Sequence, residues 1–223
     1  MKTENDIRAV IFDMDGVLLD TERLLVRFWC QAAREAGFPM EREQALQLRS
    51  LAGKYAAPLL RQWFGEGFDY AAVRARRREL MEQELERIGL PVKEGAAELL
   101  TLLRQRGIPA AVATATDEER AARYLKEAGL YPLFDRICCA PMVANGKPMP
   151  DIYLFACRQL GEEPCRCLAV EDSPNGVLSA YRAGCQVAMV PDLTPPDEET
   201  APLLTLRADS LSVLRQLLEQ KLG

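Results

Sequence analysis

Residues 8–16, RAVIFDMDG, join a short apolar run to two aspartates on alternate residues and then a glycine. An apolar run of that length, bounded by polar residues and a turn former, predicts a buried strand ending in a functional turn. Similar runs recur at 109–113 (PAAVA), 135–139 (DRICC), 167–170 (CLAV) and 186–190 (QVAMV). Between and after them lie helical patterns at 95–105, 117–128, 150–160 and 174–183, the first with Leu99, Leu100 and Leu103 on one face. Alternating strands and helices predict an α/β fold, a Rossmann-like, doubly wound parallel sheet.

The segment 20–90 breaks this rhythm. It is rich in Arg, Glu, Gln, Leu and Ala, carries no convincing strand, and reads as an inserted helical domain. Its helices are expected at 21–36, stopped by Gly37 and Pro39, then at 41–49, 54–64 and 69–88, the last stopped by Gly89 and Pro91. The expected division is a core of residues 1–19 and 91–223 with a cap of residues 20–90. The run RARRREL at 74–80 could bind anions but reads first as a solvated helix face, 191–202 as a surface loop, and 209–222 as a closing amphipathic helix.

Composition removes whole classes of chemistry. The chain of 223 residues contains no histidine, which excludes Ser-His-Asp and Cys-His catalysis and removes the commonest ligand of catalytic zinc. A net charge of −5 argues against a nucleic-acid partner, and no apolar run is long enough to span a membrane. The acidic start, MKTENDIRAV, does not read as an export signal. Seven cysteines without a regular framework suit a reducing compartment, and the expectation is a cytoplasmic protein. Oligomeric state is not legible.

Four polar signatures follow expected strands. Asp13 and Asp15 stand past the first, where ligands bind in open parallel sheets, and could serve as nucleophile and proton donor. Thr114, followed by Ala115 and Thr116 before a helix, offers a hydroxyl and free amides to phosphate oxygens. Lys147, in NGKPMPDIY, is a cation stiffened by two prolines, and Glu171 and Asp172, in LAVEDSPNG, are adjacent carboxylates that repel unless a cation joins them. Hard oxygen ligands of this kind suit Mg²⁺. Each signature alone has a bland reading as a turn, a helix cap or a surface lysine. Together they supply a nucleophile, a phosphate-binding hydroxyl, a cation and a metal site, the parts that phosphoryl transfer needs.

With these motifs the chain resembles the haloacid dehalogenase superfamily, in the branch related to β-phosphoglucomutase and phosphoglycolate-type phosphatases. DMDGV is similar to the first motif, Thr114 to the second, Lys147 to the third and EDSPNG to the fourth. The resemblance implies a helical cap inserted after the first motif and a Mg²⁺-dependent phosphatase acting on a small phosphorylated metabolite. It also implies that Asp13 forms an aspartyl phosphate while Asp15 exchanges protons with leaving group and water. The metal would be held by Asp13, the Asp15 carbonyl and Asp172, with Glu171 direct or through water, and Thr114, Ala115 and Lys147 would bind the phosphoryl oxygens. A sugar-phosphate mutase and a catalytically idle phosphate-ligand binder are the alternatives. Against the mutase, the position matching the cap-hinge histidine of the β-phosphoglucomutase pattern is Leu25, so Asp15 is expected to be free to activate water.

Overall fold

A computed structural model describes residues 6–221. The stretch 1–5, on which the reading of the chain start partly rests, lies outside them, as do residues 222 and 223. Six parallel strands form one sheet in the order β3-β2-β1-β4-β5-β6: β1 (Ala9–Phe12), β2 (Ala110–Thr114), β3 (Arg136–Cys139), β4 (Cys167–Glu171), β5 (Gln186–Met189) and β6 (Leu206–Arg207). Strand β1 lies between β2 and β4, with Val10 level with Ala110 on one side and Leu168 on the other. The strand order reverses here, and the crevice beyond such a point is the usual ligand site of this architecture.

Side chains alternate across the sheet, so each strand feeds two cores. Val10, Phe12, Val112, Leu168 and Val170 face helices α5 (Ala96–Gln105), α6 (Glu118–Glu127) and α9 (Leu211–Lys221), whereas Ala9, Ile11, Ala111, Ala113 and Ala169 face α7 (Asp151–Leu160) and α8 (Pro174–Arg182). Burial on both faces explains why β1, β2 and β4 read as unbroken apolar runs.

Between β1 and α5 the chain forms four helices and no strand longer than an isolated bridge: α1 (Glu22–Glu35), α2 (Arg42–Gln47), α3 (Gly53–Phe64) and α4 (Tyr70–Ile88). Helices α1 and α4 pack side by side, with Trp29 stacked on Tyr70 at 6.0 Å. A second aromatic group, Phe38, Phe64 and Phe68, closes the far side with ring centroids 4.9–5.9 Å apart. The two crossings between this helical segment and the sheet run together. Leu19 bridges Val92 antiparallel, the Asp20 amide donates to the Pro91 carbonyl at 2.9 Å, and the Lys93 ammonium stands 2.9 Å from Asp20.

The expected strands and helices lie within two residues of those observed, with two differences. Strand β6 spans only Leu206–Arg207, too short for periodicity to reveal. The segment 191–202 is more than a surface loop. Its Asp192 side chain is buried and receives the Lys93 ammonium at 2.6 Å, and its Thr194 accepts from Arg49. No helix of the described residues is long and apolar enough to cross a membrane.

Leu99, on α5, is fully buried in the core cluster that includes Leu211, Leu214 and Leu218 of α9. Leu99→Ala is expected to cost about 2–5 kcal/mol of stability, read as a lower midpoint in urea unfolding at unchanged slope.

Candidate active site

Three strand ends and one loop converge. Asp13 follows β1, Thr114 ends β2, and Glu171 ends β4 with Asp172 after it. Lys147 enters from the loop before α7 and is only 1% exposed. Its ammonium stands 2.8 Å from Asp13 Oδ1 and 2.6 Å from Glu171 Oε1. Burial alone would lower the Lys147 pKa, but Asp13 and Glu171 outweigh it and hold the ammonium above the usual lysine value. Glu171 is fully engaged: Oε1 also accepts from the Tyr153 hydroxyl at 2.5 Å, and Oε2 faces the Asp172 amide at 3.3 Å and the Ser173 hydroxyl at 3.4 Å. Burial pushes Glu171 up to about 7 against the opposing pull of Lys147. Gly176 is required beside it, since a Cβ there would stand 2.0 Å from the Glu171 carboxylate.

Asp13, Glu171 and Asp172 are buried and offer carboxylate oxygens within 4.8 Å of one another. Glu22, at the start of α1, is buried against the same group; burial raises its pKa well above the usual range, and Asp172 and Asp15 push it further. Burial and then Glu171 and Asp13 raise Asp172 in the same way. With Asp15, five carboxylates among the described residues face Lys147, Arg49 and, from across the cavity, Arg77, leaving an excess of negative charge that only protons or a metal ion would relieve. The Asp172 Oδ1 atom is buried without a hydrogen-bond partner. Hard oxygen donors, excess negative charge and an orphaned carboxylate oxygen fit a small divalent cation. Gly16, at φ +86°, turns the chain beneath this group; a Cβ there would stand 2.5 Å from Asp172 Oδ2.

Asp15 is half-buried and accepts from the hydroxyls of Thr21 at 2.6 Å and Thr116 at 3.1 Å. Burial raises its pKa, and the two hydroxyls oppose the rise. This corrects the expectation of a free Asp15. Leu25 does line the cavity, but two threonines restrain the carboxylate where a histidine was sought. Thr114 is buried and its hydroxyl accepts from the Thr116 amide at 3.1 Å, while Ala115 lines the cavity at the start of the following turn.

The helical segment adds residues that sequence reasoning missed. Ser50 donates to Asp13 Oδ2 at 3.0 Å from a left-handed backbone, φ +54°, which costs a non-glycine residue about 1–2 kcal/mol. Arg49, also buried, reaches Asp172 Oδ2 at 3.4 Å. Thr21 and Glu22 could have been found, since they interrupt an otherwise apolar stretch shortly after DMDG. Ser50, Arg49 and Tyr153 carry no local signal.

The fold and this site define a hydrolase built on a doubly wound sheet. The sequence profile of the haloacid dehalogenase-like hydrolases matches residues 7–184, and the chain belongs to that family. It is 34% identical over 215 residues to hexitol phosphatase A of Escherichia coli, covering 96% of this chain and 92% of that one. It is 30% identical over 183 residues to a phosphorylated carbohydrates phosphatase of Thermotoga maritima, covering 81% and 83%. Among solved structures it is similar to CbbY of Rhodobacter sphaeroides in complex with phosphate, at a TM-score of 0.77 and 29% identity, covering 93% of this chain and 96% of that one.

Removing the lysine charge strands two buried carboxylates. Lys147→Met is expected to destabilise the metal-free protein by about 3–5 kcal/mol, the usual cost of breaking a buried pair from one side. Urea unfolding in EDTA checks this, and a loss below 1 kcal/mol would contradict it.

Proposed function

We propose that the protein is a Mg²⁺-dependent phosphatase that hydrolyses a small phosphorylated metabolite, a sugar phosphate or similar monoester, through an aspartyl phosphate on Asp13. The observation that carries this reading is the Asp13–Lys147–Glu171 contact set beside Asp172 at the switch point of the sheet. Relatives named as phosphatases of hexitols and phosphorylated carbohydrates support the substrate class.

In this reading an Asp13 carboxylate oxygen attacks phosphorus, and the bond to the leaving oxygen breaks as Asp15 delivers its proton there. Water then enters, gives a proton back to Asp15 and attacks the phosphorus of the aspartyl phosphate, releasing inorganic phosphate and restoring Asp13. Lys147, the Thr114 hydroxyl and the amides from Ala115 onward orient and neutralise the phosphoryl oxygens. Thr21 and Thr116 keep Asp15 aimed while it exchanges protons. The Asp13 carboxylate, the Asp15 carbonyl and Asp172 would hold Mg²⁺, which when bound neutralises charge gathering on the transferred group. Glu171, with both oxygens already engaged, reaches that ion through water or acts by fixing Lys147.

Residues 20–90 form, in this reading, a cap domain over a core of residues 1–19 and 91–223, with Ser50 and Arg49 as its reach into the site. Seven free cysteines, six of them buried, accord with a cytoplasmic location, which fractionation of the source cells would check.

Asp13→Asn is expected to abolish phosphate release from an aryl phosphate in Mg²⁺ while leaving the circular dichroism spectrum unchanged. EDTA should abolish the wild-type rate; substantial turnover in either case would refute the assignment. The mutase alternative is tested separately, by supplying β-glucose 1-phosphate with a trace of the bisphosphate. Inorganic phosphate is expected to outpace glucose 6-phosphate, and the reverse order would make the protein a mutase.

A further inference from the structure

A cavity of about 270 Å³ lies between the strand ends and the helical segment. Asp13 and Asp15 line it on one side, and Arg74 and Arg77 of α4 line it on the other, with Trp29 and Tyr70. The expectation that RARRREL is a solvated face holds for Arg76, which pairs with Glu35 at 2.6 Å and Glu79 at 3.1 Å. It fails for Arg74, Arg77 and Arg78, which line the cavity.

Neighbouring cations in the cavity wall are already compensated. Arg78 donates to Asp117 at 3.3 Å, and Arg120 lies 3.5 Å from Glu82. Among the described residues, Arg74 and Arg77 form no hydrogen bond or ion pair, and the Arg77 Nε is buried without a partner. The Arg77 guanidinium lies 4.9 Å from the centre of the Trp29 ring, a contact that fixes its plane and leaves its donors unspent. Desolvation and then Arg74 pull its pKa down to about 10 against the attraction of Asp15 across the cavity, so it still carries its charge at neutral pH. Like charges three residues apart on one helix repel, and a helix selected only for stability would not hold both in a cavity.

We propose that Arg77, with Arg74, is a specificity site for a second anionic group, a carboxylate or a phosphate, on the leaving portion of the substrate. This rests on the phosphatase reading above. With the reacting phosphate over Asp13, the rest of a small substrate extends across the cavity toward α4, where the guanidinium fork meets two oxygens of an anion side by side. A neutral polyol phosphate would leave both arginines unpaired in a partly desolvated wall. The site therefore discriminates by leaving both guanidinium groups without a hydrogen-bonded anion, with Asp15 as the acid that still attracts Arg77, when the wrong substrate binds.

The test uses two pairs of esters that share the reacting phosphate and differ in the second group. One is 2-phosphoglycolate against 2-hydroxyethyl phosphate; the other is glucose 1,6-bisphosphate against glucose 1-phosphate, with release followed from C1. The ratio of kcat/KM within each pair is measured for wild type, Arg77→Met, Arg77→Lys and Arg74→Gln. Wild type is expected to favour the anionic member by about tenfold or more in at least one pair, and the pair that responds tells carboxylate from phosphate. Arg77→Met should bring that ratio close to one, with Arg77→Lys in between and Arg74→Gln lowering it less. Titrating the Asp13→Asn protein with the same four esters reads the preference without turnover. Ratios near one in wild type, or no tighter binding of the anionic members, would overturn the proposal while hydrolysis of the neutral members kept the phosphatase reading. An equal fall of both members in Arg77→Met would also overturn it, because the arginine would then serve the reacting end.

Discussion

The Lys147 ammonium, enclosed between Asp13 and Glu171 with almost no exposure to water, is the contact on which the organisation of the site depends. Carboxylates from three separate stretches of chain meet at one edge of the sheet, and each would repel the others at close range in a medium of low effective dielectric. One buried cation lets two of them approach. Its loop must then be anchored, and the Ser179 hydroxyl donating to the Met149 carbonyl at 2.5 Å and Arg182 donating to the Pro148 carbonyl at 2.9 Å tie that loop to α8. The excess negative charge that remains makes the same place attractive to a metal ion. Stability and binding are opposed here, and the fold settles in favour of binding by burying acids that a purely structural core would exclude.

Much of the fold could be read from the chain because both faces of the sheet are covered. Burial on both sides turns β1, β2 and β4 into apolar runs, and each run ends where a polar motif begins, so strand and site were found together. Asp13, Asp15, Thr114, Glu171 and Asp172 all gave this signal, whereas Lys147, in the loop before α7, was found from its own motif NGKPMPDIY. Strand β6 did not, since two residues cannot display a period. Ser50 and Arg49 stayed hidden for another reason. They act on Asp13 and Asp172 across 37 and 123 residues of chain, and nothing near them records that distance. The run at 74–80 was misread in part because charge composition cannot say which residues of a helix turn inward, and here one basic stretch serves both solvent and cavity.

The two parts of the chain meet the substrate with opposite charge. The strand ends present acids, which in the proposed reaction do the chemistry and which lean on Lys147 and a metal ion to offset their mutual repulsion. The α4 wall presents arginines, Arg77 held against the Trp29 ring, that add nothing to bond breaking in the mechanism set out above. A molecule bound between them is oriented by that polarity before any shape is read, because a field across a small cavity aligns a charged ligand more steeply than van der Waals contact does.

The paired crossings carry a consequence for how the chain folds. Because Leu19 lies beside Val92, with Asp20 and Lys93 joined across the gap, the whole helical segment begins and ends at almost one point. To the sheet it is a closed loop, and the entropy of closing a loop grows only with the logarithm of its length, by about 0.6 kcal/mol for each doubling. Strand β1 can therefore find β2 nearly as readily across a long insertion as across a short turn once Leu19 and Val92 have met. Away from Thr21, Glu22, Arg49 and Ser50, which reach the strand ends, the helical segment is free to lengthen, shorten or change its sequence with little penalty to the sheet.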